Sequence, residues 1–535
     1  MPGSRAAAEG ASPCPHGIPP RPAGSGRLAR HGPGRGRPGA VRLALAALLG
    51  GVLAACTPTE EAAPPVRIDV VDAQAAARLV DGALALGLTR RDPAGLVVPG
   101  LAQSWRVSED GLSIVFRLRE ARFANGSRVT AADAVATLEA ARRRRTHPLR
   151  ELLAGIASVA APLEDVVELR LTTPQPELLE LLADPSLGIL PRGIGSLADS
   201  GLGAFRLAAG PEDGPVRLER NPVHAGGAAA AGELEVAVRA PAEALVRFQR
   251  RLVDVVTGGG VEGFPGVRVT APRETLRLEP SRAVLLLLVN HRRAPLDDVR
   301  VRRALDRTAD RGALARLVFG TEAAAPVAGI APRSLPAFAL APEPDWAAVP
   351  PEDRQAEAVR LLAEAGIGPE PERRRRLVVG IGRSAEEGRM MSRLAAGWAP
   401  LGIDLVAAPL PDEAAILRAL RKDELDLALV TRRTPHDSPL PFLLPLRCRE
   451  NPGGVCVEEA DRLLAGSWKA ATLAERMRAL AEAERLWSEE VAVISLFQPL
   501  AWSLVQPGIE GFETNPAGAR SLLRLSRAEE RRLVR

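Results

Sequence analysis

The chain has 535 residues, a formal net charge of +5 and 46% hydrophobic residues, with no Tyr. That length and apolar content supply two or three domain cores. The charge is only mildly basic for the size, and the arginine runs Arg142–Arg145 and Arg373–Arg376 lack interleaved aromatics, so they read as solvated helix ends or strand flanks and not as a nucleic-acid surface.

Residues 1–40 are rich in Gly, Pro, Arg and Ala without helical or strand period, a composition that reads as disorder. Residues 41–56 differ. Val41-Arg42 opens a short apolar run that ends in Leu53-Ala54-Ala55-Cys56, the order of charge, apolar stretch and small residues found in a secretory signal. The run is too short to span a bilayer comfortably, since a spanning helix needs about 20 apolar residues. Its last four residues resemble the lipobox of bacterial lipoproteins, which makes Cys56 the expected site of lipid attachment. Such a signal needs no preamble, so the expected start is Val41, read from a GTG codon, with 1–40 a mis-assigned leader. Residues 57–65 are a polar, Pro-rich tether reaching at most about 30 Å. No later segment is long and apolar enough to cross a membrane.

Beyond the tether, Ala75 to Leu88 has helical spacing, and Asp92-Pro93 with Gly95 marks a turn. Asp110-Gly111 separates two alternating runs, Ser104–Ser108 and Ser113–Arg119, and predicts a hairpin. Asn125-Gly126 turns, and Thr130 with Asp133 predicts the capped start of a helix. Cys448 and Cys456 enclose a turn-forming loop through Asn451-Pro452-Gly453-Gly454. In an oxidising compartment they can pair, which would stabilise by about 2.5 kcal/mol in the chain-entropy model; the alternative is two free buried thiols.

The ordered set Val98-Pro99-Gly100-Leu101-Ala102, Ser104-Trp105, Asp110-Gly111-Leu112, Phe116–Arg119 and Val129–Asp133 resembles the family 5 solute-binding proteins of peptide, nickel and related ABC importers. Further marks follow in the family's order: Gly201–Phe205, Leu218–Pro222, Leu252–Val256, Asn290 with Pro295–Leu305, Asp310-Arg311, Leu361–Gly366 and Glu424–Leu427. Some dipeptide-type members carry a cysteine pair where Cys448 and Cys456 stand. The resemblance covers about residues 66–520. It implies an α/β, three-lobed periplasmic binding protein of type II, like the large cluster C members, with hinged lobes around a central cleft. Lobe I is expected at 66–99, 192–285 and 500–535, lobe II at 100–191 and lobe III at 286–499, with the ligand between lobes I and III. It also implies a monomer in the cell envelope that delivers a small polar or peptide-like solute to permease subunits, with no cofactor, metal or nucleic acid and no enzymatic activity. Ligand contacts are expected from Asn290, His291, Arg432, Arg433 and Asp437. Dipeptide-type relatives carry an acidic residue before an Asp-Pro in this stretch, often near a Trp; here Asp437 is the nearest carboxylate, at a different offset to Pro439 and without the Trp, and Arg432 and Arg433 occupy the approach, favouring a ligand with an anionic group over one with a free amino terminus.

Rival readings rest on fewer residues. Gly258-Gly259-Gly260 follows a predicted strand, but Phe264-Pro265-Gly266 comes next, and a Pro there is not expected to open a helix. Gly380-Ile381-Gly382 lies between the strand at 377–379 and a helix over 385–399, with Asp404 in the next strand, the βαβ pattern of a dinucleotide site and the basis of an enzyme alternative. No G-x-S-x-G or H-E-x-x-H motif occurs, and the histidines 16, 31, 147, 224, 291 and 436 are isolated in sequence. A second alternative is a ligand-less envelope scaffold or chaperone on the same fold, since relatives often stack ligands on aromatics that are scarce here.

Overall fold

The computed structural model describes residues 64–528, apart from 194, 210–213, 322, 516–517 and 519–520. The expected leader, the signal segment with Cys56 and the tether up to residue 63 lie outside the described residues.

Three principal sheets organise the chain. The first has seven strands in the order Leu276–Pro280, Leu500–Val505, Val255–Gly259, Val66–Val70, Glu233–Val238, Val216–Arg220 and Phe205–Leu207. Val66–Val70 sits in its middle, parallel to both neighbours, with Val66, Ile68 and Val70 buried and Asp69 paired to Arg247 at 2.8 Å. The helix Ala73–Leu84 follows, with Asp72 accepting the Ala75 N–H at 2.6 Å as its N-cap. It ends four residues short of the expected Leu88, because tertiary contacts claim the next backbone: the Ile189 N–H donates to the Leu86 carbonyl at 3.0 Å. A Cβ at Gly87 would stand 2.4 Å from the Leu182 carbonyl oxygen, so only glycine fits there.

The second sheet is an antiparallel meander of Ala102–Val107, Ser113–Leu118, Val166–Leu171 and Ile156–Leu163. Its first two strands form the hairpin expected from Asp110-Gly111, with Gly111 at φ +69°. Ile114, Phe116 and Leu118 alternate inward and face the helix Ala131–Arg143, whose start is fixed by Asp133 accepting the Thr130 N–H at 2.9 Å.

The third sheet orders Ile403–Pro409, Arg375–Ile381, Leu427–Arg433, Ala283–Val289 and Val493–Phe497. Ala283–Val289 is buried at every position, consistent with its run of Leu and Val, and pairs antiparallel on both sides. Chain passage between the first and third sheets occurs twice: at Ser281–Arg282, and at Gln498–Pro499. The strand Ala283–Val289 therefore spans the expected lobe boundary at 285. The two passages are tied together, with Ser281 Oγ donating to the Pro499 carbonyl and Gln498 Nε2 to the Ser281 carbonyl. Cys448 and Cys456 are joined, with Cα atoms 4.4 Å apart. Among the described residues no helix is long and apolar enough to cross a membrane.

Candidate ligand-binding cavity

A cavity of about 290 Å³ opens where the first and third sheets meet at these two passages. Its walls come from distant segments: the helix Ala73–Leu84, residues 183–185, Thr257–Val261, Ser281–Ala283, Thr431–His436 and Pro499–Trp502. A volume of this order suits a small solute, and convergence of several elements on one concavity is the usual architecture of a ligand site.

The glycine run at 258–260 has a structural explanation. Gly258 takes φ +82°, and the pairing of Val255–Gly259 with Leu500–Val505 shifts register between Val256 and Gly259. A Cβ on Gly259 would lie 2.0 Å from the Trp502 ring. Glycine thus lets the indole lie flat on the strand, where its Nε1–H donates to the Gly260 carbonyl at 3.0 Å. The second glycine pattern is a true βαβ unit, with Arg375–Ile381 and Ile403–Pro409 parallel neighbours and the helix Ala385–Trp398 between them. Two features speak against a dinucleotide there. The Glu387 carboxylate lies against Gly382, where a Cβ would be 2.7 Å from its Oε2, placing negative charge at the turn where a pyrophosphate would sit. Asp404 stands at the start of its strand, the end away from that turn, and pairs with Arg374.

Ionisable groups dominate the polar lining. Five arginines, 78, 90, 91, 282 and 433, line the cavity with His224 and His436, against one carboxylate, Asp184. Several are spoken for by the chain itself. Arg91 Nη1 and Arg282 Nη1 meet Glu180 Oε1 at 2.5 and 2.7 Å. Burial pushes the Glu180 carboxyl up, but the Arg91 charge and the hydrogen bonds from both arginines outweigh it and hold the group below its usual range. Arg91 Nη2 stands 3.3 Å from His436 Nδ1. A guanidinium only donates, so Nδ1 accepts and the ring proton lies on Nε2, 3.1 Å from Asp184 Oδ2. Burial raises Asp184, while the His436 partner and hydrogen bonds from Ser186 bring it down to about 2. His224 Nδ1–H donates to the Leu202 carbonyl at 2.7 Å, and burial holds its ring below the ordinary value, with Arg90 and Arg119 adding to the effect.

Arg90 differs. Its guanidinium is half-buried, its Nε is buried without a hydrogen-bond partner, and no described carboxylate lies within ion-pair distance. Burial and then the charge of Arg119 pull it below its usual pKa, with Asp92 opposing.

The residues expected from sequence divide. Arg433 lines the cavity, with Asp72 no nearer than 3.9 Å. Arg432, its neighbour on the same strand, points to the other face and pairs with Glu413 at 3.2 Å. Asp437 does not line the cavity; its backbone N–H donates to Glu180. Asn290 and His291 also lie away from it. Ala283 is on the wall, but the strand runs on for seven residues at about 3.4 Å each before Asn290, roughly 24 Å away. There Asn290 Nδ2 donates to Asp423 Oδ1 and to the Leu425 carbonyl, both at 3.0 Å. His291 donates from Nε2 to the Val491 carbonyl at 3.2 Å. Arg90, Arg91, Glu180, Asp184, Arg282 and His436 were not singled out from sequence. The adjacency of Arg90-Arg91 to the Asp92-Pro93 turn was the one local signal available.

A model of the bacterial extracellular solute-binding proteins, family 5, matches residues 97–453. Di/tripeptide-binding protein 2 of Pseudomonas aeruginosa is 25% identical over 471 residues, covering 80% of this chain and 86% of the relative. The periplasmic oligopeptide-binding protein OppA of Haemophilus influenzae is 24% identical over 469 residues, covering 80% and 84%. Among solved structures, Haemophilus influenzae OppA in complex with RPPGFSPFR superposes with a TM-score of 0.73 at 20% identity, over 88% of this chain and all of that one. The murein tripeptide binding protein MppA of Escherichia coli gives 0.73 at 20% identity over 86% and 98%. NikA of Brucella suis in complex with Fe(III)-EDTA gives 0.71 at 20% identity over 87% and 100%. These likenesses establish the fold as the multi-lobed α/β architecture of periplasmic binding proteins.

Proposed function

The chain belongs to the family 5 bacterial extracellular solute-binding proteins, and from that premise we propose that it captures a small polar or peptide-like solute in the cavity walled by Arg90, Thr257–Gly260 and Thr431–His436 and delivers it to the permease of an ABC importer. The observation that carries this reading is the position of the cavity. It lies at the two adjacent chain passages, Ser281–Arg282 and Gln498–Pro499, so rotation about them would move one wall against the other and enclose a solute. Enclosure excludes water and strengthens every charge and hydrogen bond within. No bond need be made or broken in the solute. A lipid on Cys56 would hold the receptor at the membrane. Two or more acyl chains, at about 0.8 kcal/mol per buried CH₂, make such a hold lasting, and the tether raises the effective concentration at the permease.

Native mass spectrometry of the protein isolated from its own cell envelope tests both parts. A small molecule released on activation, together with a diacylglyceryl mass at Cys56, is the expected result. A protein that carries no solute and gains none from envelope extracts would remove the capture reading and favour the scaffold alternative.

A further inference from the structure

We infer that the solute of this cavity is acidic, bringing a carboxylate or comparable anionic group to the guanidinium of Arg90 and presenting no free ammonium group to the walls. The inference rests on the capture reading above and names the class of solute that the site accepts.

The balance of available charge carries it. A zwitterionic peptide asks for a carboxylate at its amino end and a guanidinium or ammonium at its carboxyl end. The second requirement is met and the first is not. Asp184, the one carboxylate in the lining, faces His436 at 3.1 Å and also accepts the Ser186 N–H at 2.9 Å. Glu180, behind it, accepts two guanidiniums and the Asp437 N–H. Asp72, at the rim, caps the helix through Ala75 at 2.6 Å and stands 3.9 Å from Arg433. Each of these three carboxylates is therefore committed to the chain, and Asp81 and Glu262 stand outside the lining. Asp437, the carboxylate nearest in sequence to where relatives place an acid, does not line the cavity.

Arg90 has the opposite standing. A half-buried guanidinium without a counterion carries a desolvation cost that a partner would offset. It lines the cavity with no described carboxylate within ion-pair distance, and an arriving oxyanion supplies the missing partner. Arg433, from the third sheet, lines the same cavity with its nearest carboxylate only at the limit of ion-pair distance. Positive charge therefore faces the cavity from two separate segments, the strand Thr89–Arg91 and the third sheet. Water-filled, the site is electrostatically incomplete, and an anion completes it.

Isothermal titration calorimetry on the full-length protein decides the matter with four probes: N-acetyl-Ala-Ala, glutarate, Ala-Ala and Ala-Ala-amide. The acetylated peptide or glutarate is expected to bind at least tenfold more tightly than Ala-Ala-amide. Arg90→Gln should weaken acid binding tenfold or more without lowering the melting temperature, and Arg90→Lys should restore part of it. Arg433→Gln should weaken it several-fold, an independent check on the facing wall. Ala-Ala-amide binding as tightly as the acids, or Arg90→Gln binding acids as wild type does, overturns the inference while leaving solute capture standing. If no probe binds, the compound found by native mass spectrometry decides: an anion at neutral pH upholds the inference and a neutral or cationic compound overturns it. No binding and no co-purified compound removes capture and inference together.

Discussion

Arg476 and Arg311 are buried more deeply than Arg90, yet each has a carboxylate of the chain against it. Arg476 meets Glu177 at 2.5 Å across the seam between the second and third sheets, with the Trp468 ring 5.0 Å away. Arg311 meets Asp306 at 2.5 Å and lies 4.6 Å from the Trp346 ring. Arg90, on the cavity wall, has no described carboxylate within ion-pair distance. The contrast shows how one residue type serves two ends. In the body of the molecule a buried guanidinium arrives with its counterion and fixes two segments against each other. On the cavity wall the counterion is left to the solute.

The largest way to break this comparison is to treat both sites alike. Removing Arg476 leaves Glu177 buried and unpaired, so Arg476→Ala should cost about 3–5 kcal/mol in urea unfolding. Arg90→Gln strands no charge and should cost nothing. Equal losses at the two sites would abolish the distinction. A smaller effect is expected at the disulfide, another fixture of the body. Cys448→Ser with Cys456→Ser should lower stability by about 2.5 kcal/mol, through the entropy of a short closed loop, and leave solute affinity unchanged. A change in affinity would extend the functional region to that loop.

The smallest effect is on pH dependence. Burial, then Arg302, lowers the His291 pKa from 6.5 to about 3, the hydrogen bond to Val491 opposing. The folded chain thus holds a neutral ring that the unfolded chain protonates first, and stability falls as pH drops from 6.5 toward 3. His291→Gln should flatten the fall in melting temperature between pH 7 and pH 5 without altering solute binding. Asp184 acts in a different window, because its stabilising charge is lost only as pH falls below 3.8 toward 2.

Much of the fold was legible in the sequence for local reasons. The Asp110-Gly111 turn, the Thr130–Asp133 helix start and the apolar run at 283–289 each carry their own chemistry. Arg432 and Arg433 are both expected at the ligand, but neighbours on one strand face opposite ways, and only Arg433 lines the cavity. That phase is set by Glu413 on one side and by Asp72, from a distant segment, on the other. Arg90 was invisible for the same reason: its character depends on Arg119 and on burial beneath segments far along the chain. Pro265 is not expected to open a helix after the glycines at 258–260, yet Phe264–Thr270 is a helix with that Pro in its first turn; what the glycines accommodate is Trp502.

The most direct test is a crystal structure of the protein carrying the solute with which it co-purifies. The solute should lie between Thr257–Gly260 and Thr431–His436, with an anionic oxygen within 3.2 Å or so of the Arg90 guanidinium, as a charge-assisted hydrogen bond requires. A solute bound elsewhere, or one in this cavity whose nearest charged partner is Asp184 or Glu180 through an ammonium group, would contradict the account.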